Sequence, residues 1–176
     1  MVTIRSAVPS DAPALVVLLE SFMEDAFQKP WHGSAAAVLR DGFGEAARFH
    51  TMIALASPGD AVGFAAWQDS YDLHHCVRGG LLLDMYVRPT HRGRGVALGL
   101  VTSIAARARD GGGCYLRGQS VPNPAVQRMY ERMAVTFPGA ECNVGGRAFR
   151  ALADLAMVPA REAVRRLPLK AWNYEA

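Results

Sequence analysis

Apolar residues recur along the chain with two periods, and the switches between them predict alternating strands and helices. Val2-Thr3-Ile4-Arg5 predicts a short first strand. Pro9-Ser10-Asp11-Ala12-Pro13 predicts a helix start, with Ser10 or Asp11 as N-cap and proline in the first turn. Leu15, Leu18, Leu19 and Phe22 then keep helical spacing to about Ala26, and a second helix is expected from Ser34 to about Gly42. Phe49 to Leu55 and Ala61 to Trp67 read as two strands of a hairpin around the turn Ser57-Pro58-Gly59-Asp60. Asp69 to Gly80 is polar and reads as a loop. Gly80 to Val87 is apolar except for Asp84, the pattern of a central strand covered on both faces.

After that strand comes Arg88-Pro89-Thr90-His91-Arg92-Gly93-Arg94, then a helix from about Gly95 to Arg109 in which Val96, Leu100, Ile104 and Ala108 repeat every four residues. Asp110-Gly111-Gly112-Gly113 stops it. Cys114 to Val121 predicts another strand. Pro124 to Met133 predicts a shorter helix capped by Asn123, and Val135 to Leu155 predicts two closing strands. A terminal helix is expected over Pro159 to Leu167, with a tail after it. No internal repeat or linker interrupts the 176 residues, so one domain is expected over 1–176.

Composition narrows the function more than the fold. The net charge is only +3, which lacks the dense basic stripe that nucleic acid requires. Cys76, Cys114 and Cys142 form no C-x-x-C pair and no zinc spacing, so neither a metal nor a disulfide framework is expected, and a reducing cytoplasm suits the chain. No basic-then-apolar leader and no apolar run of about 20 residues points to a signal peptide or a membrane span.

The chemistry concentrates where the central strand gives way to the basic, glycine-containing loop and the following helix. Amide groups at a helix N-terminus have no intrahelical partners, and the macrodipole adds partial positive charge there. Gly93 and Gly95 let a phosphate approach the backbone, and Arg88, His91, Arg92 and Arg94 add charge. The run is therefore a pyrophosphate site. A P-loop would need Lys-Ser/Thr after its second glycine, where this chain has Val96-Ala97. A dinucleotide fingerprint would need a third glycine, where it has Leu98.

Arg92-Gly93-Arg94-Gly95-Val96-Ala97 resembles the R/Q-x-x-G-x-G/A signature of the GNAT superfamily of N-acetyltransferases. The preceding Met85-Tyr86-Val87 and the later Asn123 and Tyr130 agree with that family in order and spacing over roughly 81–133. Two positions depart from it: Met129 stands where Phe is common, and Met133-Ala134-Val135 replaces an aliphatic-Gly-Phe run. The resemblance implies an α+β (α/β) GNAT fold, a mixed central sheet of six to seven strands splayed at the centre and flanked by about four helices. It implies acetyl-CoA as cosubstrate, held by Met85, Tyr86, Val87, Arg92, Gly93, Arg94, Gly95, Val96, Ala97, Leu98 and Asn123.

It also implies direct acyl transfer to an amine, with an oxyanion donor in the segment Met85 to Val87. Tyr130 is then the acid for the departing thiolate, since a phenol and a thiol have comparable pKa values; otherwise it is a core tyrosine. Asp84 orients the ammonium, accepts its proton through water, or is paired structurally with an arginine or backbone amide. Glu24 and Asp25 stand where the family lines its acceptor pocket, and His74 and His75 occupy a loop that either reaches that pocket or is simply solvated. The expected partner is a small-molecule amine, with neither nucleic acid nor membrane; a homodimer stays open. A protein N-terminus or lysine as acceptor, and a non-catalytic CoA-binding regulatory module, are the alternatives.

Overall fold

A computed structural model describes residues 2–119 and the single positions 127, 154, 162, 165 and 166. By its internal contacts the chain divides into Met1–Met133 and Ala134–Ala176, and every element named below belongs to the first unit. Its strands are β1 (Thr3–Ser6), β2 (His50–Ser57), β3 (Asp60–Asp72), β4 (Val77–Val87) and β5 (Tyr115–Arg117). Its helices are α1 (Ala12–Phe27), α2 (Ala35–Gly42) and α3 (Val96–Asp110).

The strands lie in sequence order in one sheet. Pairs from β1 to β4 are antiparallel and β4 with β5 is parallel, so the sheet is mixed. One face carries α3: Val96, Leu100, Ile104 and Ala108 are all buried there against Met52, Val62, Ala65, Trp67, Leu82 and Val87. The four-residue repeat in the sequence is this buried stripe. The opposite face carries α1 and α2, where Leu15, Leu18 and Val38 pack on Ile53, Phe64 and Tyr86. Burial of each such side chain contributes about 1.5–3 kcal/mol.

Two β-bulges change which face the side chains meet. Ala54 opposes Gly63 and Leu55 opposes Ala61, so Val62 has no opposite number. Ala66 opposes Asp84 and Trp67 opposes Leu82, so Leu83 stands unpaired in β4. An extra residue reverses the in-out alternation of a strand. Hence Leu82 faces α3, whereas Asp84 and Tyr86 face α1.

Asp11 takes the N-cap position of the first helix, with proline in the first turn, but without a capping bond. A 3₁₀ turn covers Pro9–Asp11, and Asp11 makes no cap hydrogen bond to α1. Its carboxylate instead accepts the Arg5 guanidinium at 2.6 and 2.8 Å and the Val8 amide at 2.7 Å. The Arg5 contact holds the Asp11 carboxyl below the usual aspartate range. Ser34 does cap α2, accepting the Ala37 amide at 3.1 Å.

The loop expected over Asp69 to Gly80 is largely strand. β3 runs on to Asp72 and β4 begins at Val77, paired down to Asp72 with Val77. A ladder of backbone hydrogen bonds continues wherever the register continues, whatever the polarity of exposed side chains. Only Leu73 to Cys76 turn, with Cys76 at φ 54°. β5 is shorter than predicted, ending at Arg117. Gln127, Glu162 and Arg165 are helical as expected, whereas Asp154 is helical where a closing strand was expected. The alanine- and leucine-rich run around Asp154 favours helix. Among the described residues no helix is long and apolar enough to cross a membrane.

Candidate active site

The loop between β4 and α3 is anchored at its start by the Arg88 amide, which donates to Val62 O at 2.9 Å. A 3₁₀ turn over Pro89–His91 leads to two left-handed glycines, Gly93 at φ 72° and Gly95 at φ 79°. A Cβ added at either would meet no atom within 4 Å, so the space over both is open. The first helical bond runs from the Gly99 amide to Gly95 O at 2.9 Å. The amides of Val96, Ala97 and Leu98 therefore lack intrahelical partners. No acidic residue lies in this first turn. The open backbone, the free amides and the macrodipole together suit a multiply charged anion.

The arginines divide the work. Arg88 reaches Asp60 at 3.4 Å. Arg92 turns back into the protein: its Nε donates to Val87 O at 2.8 Å, its Nη2 meets Asp25 Oδ2 at 3.0 Å, and its guanidinium lies 5.5 Å above the Tyr86 ring. The Tyr86 hydroxyl donates to the same Asp25 oxygen at 2.8 Å. Burial raises the Tyr86 pKa, as does Asp25 beside it, while Arg92 and Arg88 oppose the rise. Asp25 thus ties the end of α1 to β4 and the loop. Its spacing from Arg92 along the chain left no signal of that pairing. Arg94 makes no side-chain hydrogen bond among the described residues, which leaves its charge for the loop.

The edge of β4 beyond Leu81 is the second feature. β5 pairs with β4 at Gly79, Gly80 and Leu81. Past that point no described strand continues the parallel pairing. The Arg88-to-Val62 bond sets the alternation of the antiparallel ladder, so Asp84 and Tyr86 bond back toward β3. Met85 and Val87 then direct their amides and carbonyls away from β3, and the contact from Arg92 to Val87 O agrees with that direction.

Asp84 lies beside this edge, in the wall of a cavity of about 120 Å³ shared with Leu15, Leu19, Val38, Phe49, Phe64 and Leu83. Its residue surface is open to water, yet apolar neighbours desolvate the carboxyl and raise its pKa above the ordinary aspartate value. No arginine or lysine lies among the described lining residues. A larger cavity, about 370 Å³, opens near Ser6, His50, Trp67 and Arg107, and contains none of the expected site residues.

His74 and His75 sit at the hairpin tip between β3 and β4. Asp72 accepts their amides at 2.9 and 3.3 Å and meets His75 Nδ1 at 3.2 Å, so the pair closes the turn. Eight residues of extended strand, about 26 Å, separate Cys76 from Asp84. Asn123 and Tyr130 lie outside the described residues. Among the described residues no group of three His, Cys, Asp or Glu is placed to hold a metal ion.

The model of the acetyltransferase (GNAT) family matches residues 16–134. Thialysine N-epsilon-acetyltransferase of Bos taurus is 31% identical over 124 residues, covering 66% of this chain and 72% of that protein. Streptothricin acetyltransferase of Streptomyces lavendulae is 33% identical over 103 residues, covering 54% of this chain and 49% of that protein. Among solved structures, a ribosomal-protein-alanine N-acetyltransferase from Brucella melitensis biovar Abortus superposes with TM-score 0.66 at 25% identity, covering 82% of this chain and 98% of that one. An aminoglycoside acetyltransferase from an uncultured soil metagenomic sample shares the fold, with TM-score 0.67 at 18% identity over 82% of this chain and 97% of that one.

Proposed function

The chain belongs to the acetyltransferase (GNAT) family, and from that premise we propose that it moves an acetyl group from acetyl-CoA to the primary amine of a small molecule by direct transfer in a ternary complex. The observation that carries this reading is Asp84: a carboxylate in a mostly apolar cavity, beside the β4 segment past its pairing with β5 and next to a loop suited to an anion.

The loop amides of Val96, Ala97 and Leu98, with Gly93, Gly95 and Arg94, hold the pyrophosphate. Arg92 braces the loop against Val87 and Asp25. Asn123 contributes a further contact to the cofactor. The amides of Met85 and Val87 face the thioester carbonyl and donate to the oxyanion as the amine nitrogen attacks. Asp84 draws the ammonium in and takes a proton directly or through water. Its raised pKa brings it closer to the amine in basicity than an ordinary carboxylate. The carbon–sulfur bond then breaks, and Tyr130 protonates the thiolate. The small cavity favours a small amine over a peptide, which needs an open groove.

The test is a panel of amines with acetyl-CoA, followed by the release of free thiol. Release that depends on an added amine is expected, and Tyr130→Phe should slow it by about 10²-fold while leaving acetyl-CoA binding intact. Silence across the panel would sink the catalytic reading; an unchanged rate in the variant would remove Tyr130 from it.

A further inference from the structure

Resting on that reading, we propose that the acceptor is a primary monoamine with a short apolar body, the size of a phenyl ring or a four- to five-carbon chain, seated between α1, α2 and the sheet with its ammonium on Asp84.

The cavity fits such a ligand in three respects. Its volume is about 120 Å³, close to the roughly 150 Å³ of an apolar protein cavity that takes up benzene. Its walls are mostly hydrocarbon: Leu15 from α1, Val38 from α2 and Phe64 from β3 are buried, and Leu19, Phe49, Ala66 and Leu83 add further apolar surface. Its described charge is a single carboxylate. Asp84 is the charged group among the described lining residues, and the remaining polar side chain, Thr51, is neutral and buried.

Those features discriminate between amines. An apolar body releases water from the walls and leaves one ammonium to pair with one carboxylate. A diamine of similar length would carry its second charge among apolar walls. A zwitterionic amino acid would bring a carboxylate there as well. Burying either charge without a partner is costly. The bulge makes this arrangement possible, because the unpaired Leu83 lets both Leu83 and Asp84 line the same cavity.

The experiment measures kcat/KM at saturating acetyl-CoA for ethylamine, n-propylamine, n-butylamine, n-pentylamine, n-heptylamine, 2-phenylethylamine, putrescine and thialysine. Each added methylene should raise the value roughly threefold to fourfold up to about n-pentylamine, as burial of a CH₂ predicts, and then the series should flatten. Putrescine and thialysine should fall at least about tenfold below n-pentylamine. Val38→Phe, which fills the cavity, should lower the value for 2-phenylethylamine about tenfold more than for ethylamine. Leu83→Asn, at a half-exposed position that leaves the core intact, should raise the KM for n-pentylamine while changing that for ethylamine little. A flat alkyl series, or putrescine or thialysine matching n-pentylamine, overturns this proposal and leaves acetyl transfer standing. Absence of thiol release with every amine overturns both.

Discussion

Asp84 shows how one residue's chemistry depends on its surroundings. Its neighbours in sequence are Leu83 and Met85, and its neighbours in space are the apolar side chains of α1, α2 and β3. Desolvation raises its pKa, so ionisation costs the folded state something that the unfolded chain does not pay. That cost is absent below the ordinary aspartate pKa of about 4 and complete above the raised value. Asp84→Asn should therefore raise the melting temperature at pH 7, with the gain fading as pH falls below about 4. The same variant should raise the acceptor KM or move the pH profile of turnover. A melting difference that does not change with pH would show that the carboxyl is not desolvated. Asp84 was legible as an anomaly in an apolar run, but the sequence left its partner open. Asp25 was read only from its place late in α1, and the structure adds its bonds to Tyr86 and Arg92. A pairing between residues on separate elements has no periodicity to reveal it.

At the scale of the element, α3 and its loop were the most legible part. A four-residue repeat is a helix face, and all four of its members are buried. The start of the helix departs from ordinary capping. Gly95 is the N-cap, in the left-handed region and without a side chain to accept a helix amide. An alanine there would be forced into a conformation costing about 1–2 kcal/mol, so Gly95→Ala should destabilise by that amount in chemical denaturation. A cost near zero would mean that the loop relaxes to another conformation. The hairpin of β3 and β4 was the least legible element. Polar residues from Asp69 onward resemble a loop, yet their pairing depends on the backbone register carried past the bulge at Leu83. A bulge breaks the two-residue alternation by which strands are recognised.

At the scale of the molecule, the sheet separates two features of the candidate site. Its α3 face seats the helix that follows the glycine loop, and its α1 face carries the cavity that Asp84 lines. Acetyl-CoA at about 100 times its Kd should stabilise the fold by about 2.7 kcal/mol, seen as a higher melting temperature. Gly95→Asp should abolish that shift by placing a negative side chain in the open space over the loop. A shift that survives the substitution would place the cofactor elsewhere. The sequence by itself determined the family signature, the glycine-containing basic loop and the helix that follows it, because these rest on contiguous residues and local periodicity. Tertiary structure alone decided the end of the described β5 pairing at Leu81, the reversal of facing at Leu83, the brace from Asp25 to Arg92, and the cavity around Asp84. Each of these arises where residues distant in the chain meet, and a strand's facing is set by its partner's register as much as by its own side chains.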